Sequence, residues 1–182
     1  MQQRLQTDAL TGLANREAFM LRLREKVAQA QGAPADAHFA VLFIDLNHFK
    51  HINDRFGHGV GDRVLVEVAQ RLRGAVRAQD LVARLSGDEF VVLLVGVESR
   101  DGLERVRGEI ERALKEPLAA LGPDAPAWTD FGGAVGEAYF PDDGRDADAL
   151  LKKADRRMYT LKFKFREGEQ AGTQRRRSDP KG

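Results

Sequence analysis

Two periods of apolar residues alternate along the chain and lay out its elements. Phe19, Leu21, Leu23 and Val27 mark a first helix that ends before Gln31-Gly32-Ala33-Pro34. Phe39 to Ile44 is an unbroken apolar run between polar residues, the pattern of a strand buried on both faces. Phe49, Ile52 and Phe56 fall at helical spacing and stop at Gly57. Val64, Leu65, Val68, Leu72 and Val76 form a longer amphipathic helix. Leu81–Leu85 and Phe90–Val95 read as two strands of a hairpin joined by Ser86-Gly87-Asp88-Glu89. Leu103–Leu114 is a further helix, and Trp128–Tyr139 contains a strand. Ala147 to about Lys162, carrying Leu150, Leu151, Ala154, Met158 and Tyr159, is the last helix. Helices interleaved with strands and one hairpin predict an α/β (α+β) sandwich around a central mixed sheet of roughly five strands.

Composition narrows the class of molecule. A chain of 182 residues, 42% hydrophobic and 31% charged, suits one soluble domain with one core. The formal net charge of +1 gives no global field to attract nucleic acid or membranes, and no nucleic-acid partner is expected. The absence of cysteine excludes disulfides, thiolate metal sites and a cysteine nucleophile. No apolar stretch reaches the roughly 20 residues that span a bilayer, and residues 1–6 lack a signal-peptide core. The segment is expected in the cytoplasm, on its own or as the cytoplasmic part of a membrane-anchored protein. Residues 1–166 are read as the domain. Residues 167–182, polar and rich in arginine at Arg175-Arg176-Arg177, are read as a disordered tail.

The candidate chemistry is acidic. Asp45 directly follows the buried strand, at the edge where open α/β sheets tend to place ligands. Asp88 and Glu89 sit at the hairpin tip. If the hairpin pairs beside the first strand, its tip faces Asp45, and oxygen ligands gathered there suit magnesium together with substrate phosphates. Taken singly, an Asp after a strand is an ordinary helix cap and Gly-Asp-Glu an ordinary turn. No G-x-x-x-x-G-K-[ST] motif is present, which disfavours P-loop chemistry.

Four blocks in order change that reading. The segment Asp45-Leu46-Asn47-His48-Phe49-Lys50-His51-Ile52-Asn53-Asp54, running on through Gly57-His58 to Gly61-Asp62, resembles the first signature of the GGDEF-domain diguanylate cyclases, and Ser86-Gly87-Asp88-Glu89-Phe90 resembles the second. Asp8-Ala9-Leu10-Thr11-Gly12-Leu13-Ala14-Asn15-Arg16 is similar to the family's opening, and Ala154-Asp155-Arg156-Arg157-Met158-Tyr159 to its last helix.

The resemblance implies a fold like that of nucleotidyl cyclases and polymerase palms, and condensation of two GTP into cyclic di-GMP and two pyrophosphates across a homodimer. It implies two Mg2+ (or Mn2+) ions per site, held by Asp45, the Leu46 carbonyl, Asp88 and Glu89, with Glu89 also near the attacking hydroxyl. Asn53 and Asp62 would read guanine. Backbone N–H groups from Asn47 through His48 and Phe49 to Lys50 would hold phosphates, with charge from Lys50, Lys162 and Arg166. Lys162 and Arg166 lie four apart and share a helix face. Arg77 and Asp80 match the R-x-x-D site at which product inhibits, and His58 is read as structural. An upstream sensor or regulatory domain is implied, with no membrane insertion of this segment.

The chain departs from the pattern at Asn47 for Asp, Ser86 for Gly, Ala134 for Ser, Phe165 for Gly and Glu167 for Asn. A left-handed Ser86 would cost on the order of 1 kcal/mol and crowd the nucleotide. The alternative function is a catalytically degenerate domain that binds GTP or cyclic di-GMP as a signalling module.

Overall fold

The computed structural model describes residues 6–32, 38–123 and 131–178, with side chains as far as 173. Helix α1 (Arg16–Gln31) begins where the Asn15 side chain accepts from the Ala18 N–H. It buries Phe19, Met20, Leu23 and Val27. Leu21, expected on the same face, is 49% exposed because a step of 100° per residue carries it off the stripe that Phe19 and Leu23 share.

The other elements are β1 (Phe39–Asn47), α2 (Phe49–Phe56), α3 (His58–Ala75), β2 (Leu81–Ser86), β3 (Glu89–Val95), α4 (Arg100–Lys115), β4 (Gly132–Phe140) and α5 (Ala147–Ser178). The strand expected from Trp128 thus begins at Gly132; residues 124–130 lie outside the described residues. The sheet runs β2-β3-β1-β4, and every neighbouring pair is antiparallel. It is therefore a four-stranded antiparallel sheet among the described residues, where a mixed sheet of about five was expected. The reason is a double interleaving. The helical crossovers join β1 to β2 and β3 to β4, which run parallel, but β3 is inserted in the first pair and β1 in the second. The described parallel pairing is the isolated bridge Ala14↔Ala83.

Alternate residues of β1 feed two cores. Ala40, Leu42, Ile44 and Leu46 pack with α2, α3 and α4, through Ile52, Val64, Leu72, Leu103 and Ile110. Phe39, Val41 and Phe43 pack with α1 and α5, through Phe19, Leu23, Leu150, Ala154 and Met158. Each buried Leu, Ile or Phe contributes about 1.5–3 kcal/mol, so both layers hold the sheet firmly. Helix α5 lies close on β4 at Gly136, where a Cβ would come within 2.1 Å of the Ala154 carbonyl oxygen and 2.2 Å of the Met158 nitrogen.

Helix α5 also corrects the reading of the tail. The segment taken as disordered from Glu167 continues the helix to Ser178. The helix-stopping glycine expected before Arg166 is Phe165, and the residues beyond, Glu167, Glu169, Gln170, Ala171 and Gln174 to Arg177, include many good helix formers. Among the described residues no helix is long and apolar enough to cross a membrane.

Candidate functional site

The sheet's pairing register builds the site. Asp45, the seventh residue of β1, is the partner of Glu89 on β3 and of Ala134 on β4. Asp45 and Glu89 therefore point to the same face, the one covered by α1 and α5, at its open end. The hairpin turns in two residues, Gly87 and Asp88, with Gly87 at φ +46°, where glycine has no Cβ to clash. The register shift between Arg84 and Ser86 turns the tip toward β1, and the Leu46 N–H donates to the Asp88 carbonyl at 3.3 Å.

Ser86 is the last residue of β2 and does not take positive φ, so the strain expected of a left-handed serine is absent. Its hydroxyl instead donates to Glu89 Oε2 at 3.4 Å.

Asp88 stands close enough to Asp45 to feel its charge: burial first, then that charge, raises the Asp88 pKa, with Lys162 opposing. Glu89 is raised by burial, then by Asp45 and Asp155. Lys162, one turn beyond Met158 on α5, places its ammonium 2.7 Å from Asp45 Oδ1 and donates to the Leu46 carbonyl at 3.4 Å. Side chains of both Lys162 and Asp45 are mostly buried. Among the described residues no three acidic or imidazole side chains converge enough to hold a metal unaided. Two carboxylates and a carbonyl fit magnesium, which keeps waters and phosphates as its other ligands. The ammonium on Asp45 and Leu46 shows that these oxygens accept a cation.

Beside the acids lies a cavity of about 350 Å³, lined by Leu46, Asn47, His48, Phe49, Lys50, His51, Asp88, Lys162, Phe165, Arg166 and Glu169. Every residue assigned to phosphates is here. His48 precedes α2 at φ 62°, an uncommon conformation for a residue with a side chain. Its ring holds that turn in place: Nε2 lies 3.0 Å from Glu169 Oε1 and Nδ1 lies 3.1 Å from His51 Nδ1, while Phe165 packs edge-on. The first N–H groups of α2 have no side-chain cap and remain available to an anion.

Asn53, on α2, and Asp62, on α3, do not line this cavity. Asn53 Oδ1 is buried without a hydrogen-bond partner among the described residues, and a Cβ on Gly61 would fall 1.8 Å from it. Glycine at 61 thus makes room for the carboxamide, and the exposed Asp62 follows it directly. His58 is exposed on the first turn of α3.

Arg77 and Asp80 lie at the far end of the sheet. Asp80 Oδ2 accepts from the Arg77 N–H at 2.9 Å and Oδ1 from the Val95 N–H at 3.0 Å, so its carboxylate shapes the turn. Both residues line a second cavity of about 280 Å³ with Glu98, Ser99 and Arg105. β3 separates that cavity from Glu89 by roughly 20 Å at 3.3–3.4 Å per residue.

Sequence reasoning missed three residues. Arg84 donates to the Gly87 carbonyl at 2.9 Å and pairs with Asp8 at 3.1 Å, which ties the hairpin tip to the N-terminal turn. Asp8 in turn accepts from the Thr11 N–H and hydroxyl. Asp8 opens the first recognisable block and Arg84 stands two residues before another, but neither was given a role there. Glu169 lies beyond the expected end of the last helix, and its only advance sign was Phe165 at the glycine position.

The family model for the diguanylate cyclase GGDEF domain matches residues 5–168. Diguanylate cyclase TpbB of Pseudomonas aeruginosa is 41% identical over 159 residues, which are 87% of this chain and 35% of TpbB. The solved GGDEF domain of TpbB superimposes with a TM-score of 0.79 at 40% identity, covering 87% of this chain and 89% of that one. The GGDEF domain of DgcB from Caulobacter crescentus, solved with c-di-GMP, gives a TM-score of 0.78 at 25% identity over 89% and 92% of the two chains. The chain spans only 18% to 35% of the length of the first curated relatives it matches.

Proposed function

The chain belongs to the family of GGDEF-domain diguanylate cyclases, and we propose that it condenses two GTP molecules into cyclic di-GMP. The observation that carries this reading is the meeting of Asp45, the Leu46 carbonyl and Asp88 beside a cavity lined by Lys50, Lys162 and Arg166. Asp45, Leu46 and Asp88 would hold two divalent ions, Mg2+ or Mn2+, with Glu89 beside them. When bound, such ions neutralise the triphosphate and acidify the attacking hydroxyl.

The protein's own groups do the rest. The α2 N-terminal amides, Lys50 and Arg166 hold the β- and γ-phosphates, so that the α-phosphate faces the Asp45–Glu89 edge. Glu89, with its raised pKa, accepts the proton of the incoming 3′-hydroxyl. The new bond forms from that 3′-oxygen to the α-phosphorus, the α–β bridging bond breaks, and pyrophosphate leaves. The Asp62 carboxylate accepts from the guanine ring N–H and amino group, the Asn53 carboxamide donates and accepts, and the unpartnered Asn53 Oδ1 supports that role. One domain holds one GTP, so two copies must face each other. The R-x-x-D cavity at Arg77 and Asp80 would hold product and restrain turnover. The substrate would be cytoplasmic GTP, and an upstream regulatory domain would control its use.

A binding-only module is the second reading, favoured by the Glu169 carboxylate in the phosphate cavity and by Asn47 in place of an acid. Chromatography of products from GTP and magnesium distinguishes the two. Cyclic di-GMP from the wild type, and at least about 100-fold less from Glu89→Gln, supports the cyclase. Intact GTP with nucleotide bound supports the module. In the cyclase, Arg77→Ala leaves the initial rate unchanged and removes the slowing as product accumulates.

A further inference from the structure

Among the described residues Lys162 reaches the two oxygens that matter most for a cation. Its ammonium lies 2.7 Å from Asp45 Oδ1 and 3.4 Å from the Leu46 carbonyl oxygen. These are the oxygens assigned to a divalent ion. The position is built in from the backbone outward. Gly136 admits α5 onto β4, and Lys162 follows Met158 by one turn to stand over the Ala134–Asp45 register. Within this acidic edge Lys162 is the cation held directly against Asp45, while Arg16 acts on Glu89.

An ammonium and a divalent ion cannot both sit against the same carboxylate oxygen, since their mutual repulsion at that separation exceeds what one shared anion returns. The lysine must leave when the ion enters. Its four-carbon stem is flexible, and it already borders the phosphate cavity with Arg166 one turn further along. An anion in that cavity gives the displaced ammonium a partner; an empty cavity does not.

We infer that Lys162 is a built-in counter-ion which keeps the divalent-cation position filled until nucleotide phosphates draw it away, so that metal and GTP each bind tightly only with the other. The inference rests on the cyclase reading of the site. It assigns Lys162 a positioning role at the metal in addition to its contact with phosphate, and by reciprocity the same coupling appears in the affinity of either ligand.

The test is Mn2+ binding followed by the electron paramagnetic resonance of the free ion, in the presence and absence of a GTP analogue with a methylene α–β bridge, which cannot turn over. Wild-type protein should bind Mn2+ weakly alone and much more tightly with the analogue. Lys162→Met keeps the stem and removes the charge. It should bind Mn2+ alone about tenfold more tightly than the wild type, and the analogue should add much less. Metal-free Lys162→Met should also melt earlier, with the loss restored by Mn2+. Lys162→Gln, which can still donate to Asp45, serves if the Met variant does not fold. Unchanged or weaker nucleotide-free Mn2+ binding in these variants, with the wild type binding both ligands, overturns the inference alone. Failure of the wild type to bind Mn2+ even with the analogue overturns the cyclase reading as well.

Discussion

Arg84 shows how one side chain outside the expected acids sets their geometry. Its guanidinium bridges Asp8 and the Gly87 carbonyl, with both charged side chains mostly buried. Arg84→Ala should cost about 1–3 kcal/mol in chemical denaturation, the usual loss when a hydrogen-bonded charged partner is removed. It should also slow turnover, because the hairpin tip loses its tether. The acids act in the opposite sense. Asp88 and Glu89 have raised pKa values, so they bind protons more readily in the fold than out of it. Their contribution to stability is present below the ordinary carboxylate range and is lost as pH rises through the raised values. Asp88→Asn should therefore melt a few degrees above the metal-free wild type at pH 7, with the advantage shrinking toward pH 4, as calorimetry across that range would record. At Asp8 and Asp143 burial pushes upward, but hydrogen bonds and arginine charges outweigh it and lower both. Their stabilisation is present above the ordinary carboxylate range and lost as pH falls through the lowered values.

Helix α5 carries the features least legible in the chain. Its first half was readable, since Leu150, Ala154 and Met158 repeat at helical spacing and are buried. Its second half was not, because Glu167 to Thr173 buries no apolar stripe and a solvated helix leaves no periodic trace in sequence. The acids were legible through the spacing between blocks, and their meeting follows from the Asp45↔Glu89 register. Lys162 on Asp45 was not, because it depends on how closely α5 settles on Gly136. Two substitutions separate these layers. Phe165→Gly should end the helix near Arg166 and withdraw Glu169 from His48, seen as lost far-ultraviolet helicity without a lower melting temperature. Gly136→Ala places a Cβ inside the backbone of α5 and should cost at least about 1–3 kcal/mol while shifting Lys162 off Asp45.

The interleaved sheet explains why one chain presents two cavities at opposite ends. β1 and β3 run antiparallel, so the acids and phosphate cavity gather at one end, and the Arg77–Asp80 cavity at the other. The strand count and pairing sense were misjudged from sequence because apolar runs fix a strand's burial but not its neighbour. Among the described residues one cavity borders the acidic edge, so the proposed reaction requires two copies. Phosphorus magnetic resonance of GTP incubated with the protein and magnesium follows every phosphorus atom at once. The account predicts that the triphosphate signals fall as phosphodiester and pyrophosphate signals grow together, one pyrophosphate for each phosphodiester. Persistent triphosphate, or its decay to GDP and inorganic phosphate, would contradict it.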